Sequence, residues 1–125
     1  MKTILTSEAP VPAGHYSQAI VHDGLVYVSG LLPIDPRQAG FVPDTIEEQT
    51  ELTLRNVEAV LRSAGTNLSR LLQVTIYLSD LSLWARVNAI YAKVLGTHRP
   101  ARAIVPTLPL HFGCLIEIQV IAAVG

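Results

Sequence analysis

Cys114 is the only cysteine in the chain, so an internal disulfide and any cysteine-built zinc site are excluded. At the head of an apolar run, its thiol reads as core rather than as a nucleophile. Charge is scarce too: 15% of the 125 residues carry it, where about a quarter is usual. The formal net charge is −1 and no basic run occurs, which leaves no electrostatic footprint for nucleic acid. Long apolar runs are also missing, since none approaches the roughly 20 residues that span a bilayer. Glu8 and Pro10 interrupt the N-terminal segment before a signal-peptide core can form. A cytosolic location with no membrane partner is expected. The four histidines, at 15, 22, 98 and 111, lack metal-ligand spacing. No repeat, low-complexity tract or linker divides the chain, so residues 1–125 read as one domain with a genuine core.

What the chain does have is apolar surface. Half of its residues are hydrophobic, a surplus best buried between subunits, and an obligate oligomer is expected. The local pattern is α+β. Residues 2–6 suggest an edge strand, followed by a proline- and glycine-bearing loop through Tyr16. Residues 18–22 and 25–29 form a hairpin about Asp23-Gly24. Gly30 is expected to end the second of these strands, before a loop over 31–43.

Thr45-Ile46-Glu47-Glu48 is a capping box that opens a helix, and Gly65 stops it. Its apolar stripe runs Ile46, Thr53, Val57, Val60, Leu61 and Ala64. Over 71–78, Leu72, Val74, Ile76 and Leu78 alternate with Gln73, Thr75 and Tyr77 as in a strand. A second helix over 82–95 turns Trp84, Val87, Tyr91 and Val94 inward and ends at Gly96. Strands at 101–106 and 114–123 complete a β-β-β-α-β-α-β-β order. Two amphipathic helices can cover one face of a mixed, mainly antiparallel sheet.

Two charges stand out against this background. Arg102 and Glu117 each sit within aliphatic strand-like runs, where an unpaired charge is costly to bury. Side chains alternate along strands, and the polar parity places Arg102, Glu117 and Gln119 with Tyr27, Ser29, Thr75 and Tyr77 on the face without helices. If the last two strands formed a hairpin, Arg102 and Glu117 would be a cross-strand ion pair. Otherwise they belong to a site, beside or within a subunit interface.

Several segments together resemble one family. Gly14-His15-Tyr16, Val28-Ser29-Gly30, Tyr77-Leu78-Ser79-Asp80-Leu81, Val87-Asn88-Ala89, Arg99-Pro100-Ala101-Arg102 and Ile116-Glu117-Ile118 are similar, in order and spacing, to the YjgF/Rid family of reactive intermediate deaminases. That family is also called endoribonuclease L-PSP or translation inhibitor. The resemblance covers nearly the whole chain. It implies a chorismate-mutase-like homotrimer with clefts between subunits. It also implies hydrolysis of 2-imino acids, such as 2-iminobutanoate and 2-iminopropanoate, to 2-keto acids and ammonia without a cofactor or metal.

The resemblance further implies that Arg102 binds the substrate carboxylate and Glu117 orients or activates water. It places Tyr16, Ser29, Gly30 and Asn88 at the cleft, with a backbone amide at Ile104. His15, Leu31 and Ile104 depart from common family residues, as do the prolines at 106 and 109, which bears on side-chain preference more than on reaction type. A planar guanidinium suits a carboxylate, and a carboxylate can accept a proton from attacking water. No histidine is placed to activate Ser29 as a nucleophile. Ribonuclease or translation-inhibitor activity is the competing class, which the charge balance disfavours. A non-catalytic or chaperone-like trimer that binds small carboxylates would want the same arginine.

Overall fold

In the computed structural model, which describes residues 1–125, eight main elements follow the expected order. They are β1 (Lys2–Ile4), β2 (Ala19–His22), β3 (Leu25–Leu31), α1 (Ile46–Ser63), β4 (Leu71–Leu78), α2 (Trp84–Leu95), β5 (Ala101–Pro106) and β6 (Ile116–Ala123). The strands form one sheet in the order β1-β2-β3-β6-β4-β5, antiparallel everywhere except between β4 and β5. This is the expected α+β fold. β4 lies between β5 and β6, so the last two strands do not form a hairpin. No helix is long and apolar enough to cross a membrane.

Local chemistry explains the boundaries. Asp23 and Gly24 both take positive φ, at 50° and 75°, as a two-residue turn matching strand twist requires. Thr45 caps α1 by accepting from the Glu48 amide at 3.1 Å. Its hydroxyl in turn donates to Glu48 Oε1 at 2.9 Å. The return arm of the box thus ends on the cap side chain rather than on its backbone. Gly65 follows with φ at 83°, a conformation that carries a steric penalty for residues with a Cβ.

The core lies between one sheet face and the helices. Val26, Val28, Leu31, Val74, Ile76, Leu78, Ile116, Ile118 and Val120 pack with Val57, Val60 and Leu61 of α1 and Val87 and Tyr91 of α2. Burying each large aliphatic side chain contributes roughly 1.5–3 kcal/mol.

Three expectations change. β3 does not stop at Gly30. It continues to Leu31 through a bulge, because Val28 pairs with Val120 and Leu31 with Ile118, setting Ser29 and Gly30 against Gln119. A second bulge at the start of β4 buries Leu71 and leaves Leu72 46% exposed. At the start and end of α2, Trp84 and Val94 stay partly in solvent, 42% and 36% exposed. Of that helix only Val87 and Tyr91 are fully buried in the core, with Leu95 packed against it.

Candidate functional site

Arg102 lies on β5, the outer strand, and on the helix side of the sheet. Register decides this. β5 runs parallel to β4 with Arg102 beside Val74 and Ile104 beside Ile76, and laterally paired residues share a face. Val74 and Ile76 are buried under the helices. The expected placement of Arg102 on the open face is therefore corrected: Ala101, Ala103 and Val105 occupy that face instead. The polar parity misled because β5 is an edge strand, exposed on nearly every residue of both faces.

What holds Arg102 is α2. Trp84, Asn88 and Tyr91, spaced i, i+4 and i+7, line one helix face. Arg102 Nη1 donates to Asn88 Oδ1 at 2.8 Å. The guanidinium carbon lies 4.8 Å from the Tyr91 ring centroid and 5.7 Å from that of Trp84. Both distances suit cation–π attraction. Burial pushes the Tyr91 phenol pKa up, while the Arg102 charge pulls against that rise. None of the five ion pairs in the chain includes Arg102. The guanidinium borders a cleft of about 580 Å3 that also meets Asn88, Tyr91, His98 and Arg99 and has no acidic residue in its lining. Ile104 follows on the same face, half-buried against the core.

Glu117 belongs to a different environment. It lies in β6, a central strand, directly opposite Tyr77 of β4 and on the face without helices. Tyr16, Ser29, Gly30, Gln119, His111 and Phe112 line a groove of about 670 Å3 with it. The β3 bulge brings the backbone of Gly30 under the carboxylate: a Cβ built there would lie 2.7 Å from Glu117 Oε2 and 2.9 Å from its carboxyl carbon. Only glycine leaves room for that position. Ser29 Oγ donates to the Ser17 carbonyl at 2.6 Å, so its proton is engaged by backbone. Tyr77 donates its hydroxyl to Gln119 Oε1 at 2.8 Å. Cys114 is buried at the base of this strand; burial, then the nearby Glu117 charge, push its thiol pKa up. That suppresses the thiolate a nucleophile needs.

The named residues thus fall into two groups. Arg102, Asn88 and Ile104 gather beside α2, while Glu117, Tyr16, Ser29 and Gly30 gather on the opposite face. One chain does not bring the two charges together, since a sheet separates them. Nor do three His, Cys, Asp or Glu side chains converge as a metal ligand set. Trp84, expected in the core, is 42% exposed; Tyr91 is in the core as expected but also flanks Arg102, and no role was expected of Phe112. The i, i+4, i+7 spacing of Trp84, Asn88 and Tyr91 was the available signal. Phe112 offered none, because its left-handed φ of 60° appears only in the folded loop.

A family model described as endoribonuclease L-PSP matches residues 6–124. The chain is 40% identical over 121 residues to a RutC family protein of Pyrococcus horikoshii, covering 97% of this chain and 96% of that one. It is 36% identical over 124 residues to the 2-iminobutanoate/2-iminopropanoate deaminase of Rattus norvegicus, covering 99% and 90%. Among solved structures, TdcF of E. coli with bound serine superposes with a TM-score of 0.95 at 30% identity, covering all of both chains.

Proposed function

Because the chain belongs to the endoribonuclease L-PSP family, the YjgF/Rid group, we propose that it hydrolyses 2-imino acids of the 2-iminobutanoate and 2-iminopropanoate type to 2-keto acids and ammonia. The observation that carries this reading is the pair of complementary half-sites: an arginine without an acidic partner and a carboxylate beside a glycine-made gap, each on an open groove. Since they occupy opposite faces of one sheet, the working cleft forms where the Arg102 face of one copy meets the Glu117 face of the next. A cyclic trimer supplies three such heterologous contacts and closes on itself.

In that cleft the free donors of Arg102 take the substrate carboxylate, and Asn88 holds the guanidinium. Glu117 accepts a proton as water adds to the imine carbon, and the imine nitrogen gains a proton. Collapse of this carbinolamine breaks the C–N bond; its hydroxyl proton is lost as the nitrogen, protonated once more, leaves as ammonia. The sum is C=N plus water to C=O plus ammonia. Holding water, carboxylate and imine together supplies much of the acceleration such a labile bond requires. Two relatives support the reading: one named as a 2-iminobutanoate/2-iminopropanoate deaminase, and one whose structure holds serine, a small α-amino acid.

The test is release of 2-oxobutanoate from imine generated in situ by threonine dehydratase, with semicarbazide trapping what remains. Acceleration by the protein, lost in Arg102→Ala, is expected. No acceleration across several amino-acid-derived imines overturns the assignment. Salt-sensitive RNA cleavage by the purified chain would favour the ribonuclease reading instead.

A further inference from the structure

The Trp84 ring has no job in the core. It is 42% exposed, yet it begins α2 with its face toward Arg102 at 5.7 Å. We infer that Trp84, with Tyr91, is a positioning residue: the two rings hold the Arg102 guanidinium ready for a carboxylate in place of an acidic partner. This rests on the carboxylate-binding role proposed for Arg102 and extends it to residues that the reaction itself does not need.

An arginine on an edge strand is ordinarily free to swing, and ordering its long side chain costs rotamer entropy. A carboxylate partner would order it, but would also compete with an incoming anion for the same donors. Here the ordering comes from groups that do not compete. Asn88 Oδ1 uses one N–H of the five. Tyr91 and Trp84 attract the cation through their ring faces, which leaves the in-plane donors unoccupied. Tyr91 is 4% exposed and forms the fixed floor; Trp84, 42% exposed, is the ring that solvent reaches. The arrangement keeps the charge unpaired at the border of the acid-free cleft.

The chain's single tryptophan makes this directly measurable. Titration with 2-oxobutanoate, the keto-acid product, should change Trp84 fluorescence in the wild type. By calorimetry, Trp84→Leu should bind 2-oxobutanoate about fivefold more weakly, the scale of one lost cation–π contact. KM for the imine should rise by a similar factor with kcat nearly unchanged. Trp84→Phe should recover most of the affinity, because it restores a ring face. Thermal unfolding followed alongside separates lost binding from lost fold.

Equal affinity in wild type and Trp84→Leu overturns the inference, as does Trp84→Phe behaving no better than Trp84→Leu. If imine hydrolysis proceeds and Trp84→Leu leaves KM unchanged, only this inference falls. If no imine is hydrolysed but Trp84→Leu weakens keto-acid binding as stated, the inference stands and the deaminase reading falls.

Discussion

β5 and β6 carry the two charges of the proposed site, and they carry them in opposite ways. β6 lies between β3 and β4, and its side chains alternate between buried and open along its whole length, Gln119 being exposed. β5 hangs on the sheet edge, parallel to β4, with only Ile104 partly buried. In the central strand, neighbours on both sides and helices above fix which face each residue takes. At the edge only register does so. A lone charge therefore has a face dictated by its own strand in β6, and by its partner strand in β5.

Separating Arg102 from Glu117 is the sharpest way to break that comparison. Arg102→Ala should cost about 100-fold in kcat/KM, the scale of a lost charge-assisted pair. Glu117→Gln should lower kcat by about 100-fold or more, since general-base contributions begin near that size. Refolding the two variants together should return about a quarter of wild-type activity, the random share of sites made from two intact halves across an interface. No recovery on mixing would place both groups in one subunit's site and refute the split.

A smaller effect tests the central strand alone. Gly30→Ala should leave the protein folded yet lower kcat by about tenfold, because a Cβ there would lie 2.7 Å from Glu117 Oε2 and push the carboxyl aside. Wild-type kcat would show that the carboxylate tolerates displacement.

Stability should follow the same contrast. Ile118, fully buried in β6, should cost about 2–5 kcal/mol when changed to Ala. Val105 on β5, 37% exposed, should cost less than about 1 kcal/mol. Urea denaturation compares them, and equal losses would show that the edge strand is packed as tightly as the centre.

The smallest effect concerns how α2, which bears the Arg102 cradle, is tied to α1. Arg86 donates to both Glu47 carboxylate oxygens at 2.7 and 2.8 Å and, chiefly through those bonds, lowers the Glu47 pKa from 4.5 to about 2. A carboxyl depressed in the fold stabilises it above the unfolded value and loses that contribution as pH falls from about 4.5 towards 2. The pair is exposed, so the effect is slight. Melting temperature against pH should show a shallower acid limb in Arg86→Ala than in wild type. An unchanged limb would mean that solvent screens the pair completely.

Much of the fold was legible in the chain. Asp23-Gly24, the Thr45 box, Gly65 and the alternation of β6 and of β4 from Gln73 onward are local signals, and local physics decided them. Glu117 was placed on the correct face for the same reason: Ile116, Ile118 and Val120 must all go inward together. Arg102 was not, because composition around an edge strand says little about face and only the parallel pairing with β4 settles it. The bulges at Ser29-Gly30 and Leu72 were also illegible. Each inserts one residue against a partner distant in sequence, and no period within β3 or β4 reports it. Trp84 was misassigned because helical spacing marks a common face without saying whether core or a guanidinium lies beneath it.

The register across β6, β4 and β5 has one more consequence. By placing the two charges on opposite sides of a sheet, it makes a solitary chain chemically silent under the proposed function. Catalytic output then depends on how many copies have met, so specific activity should collapse on dilution below the assembly constant and return on concentration. Expression level would set not only the amount of enzyme but whether each molecule is one.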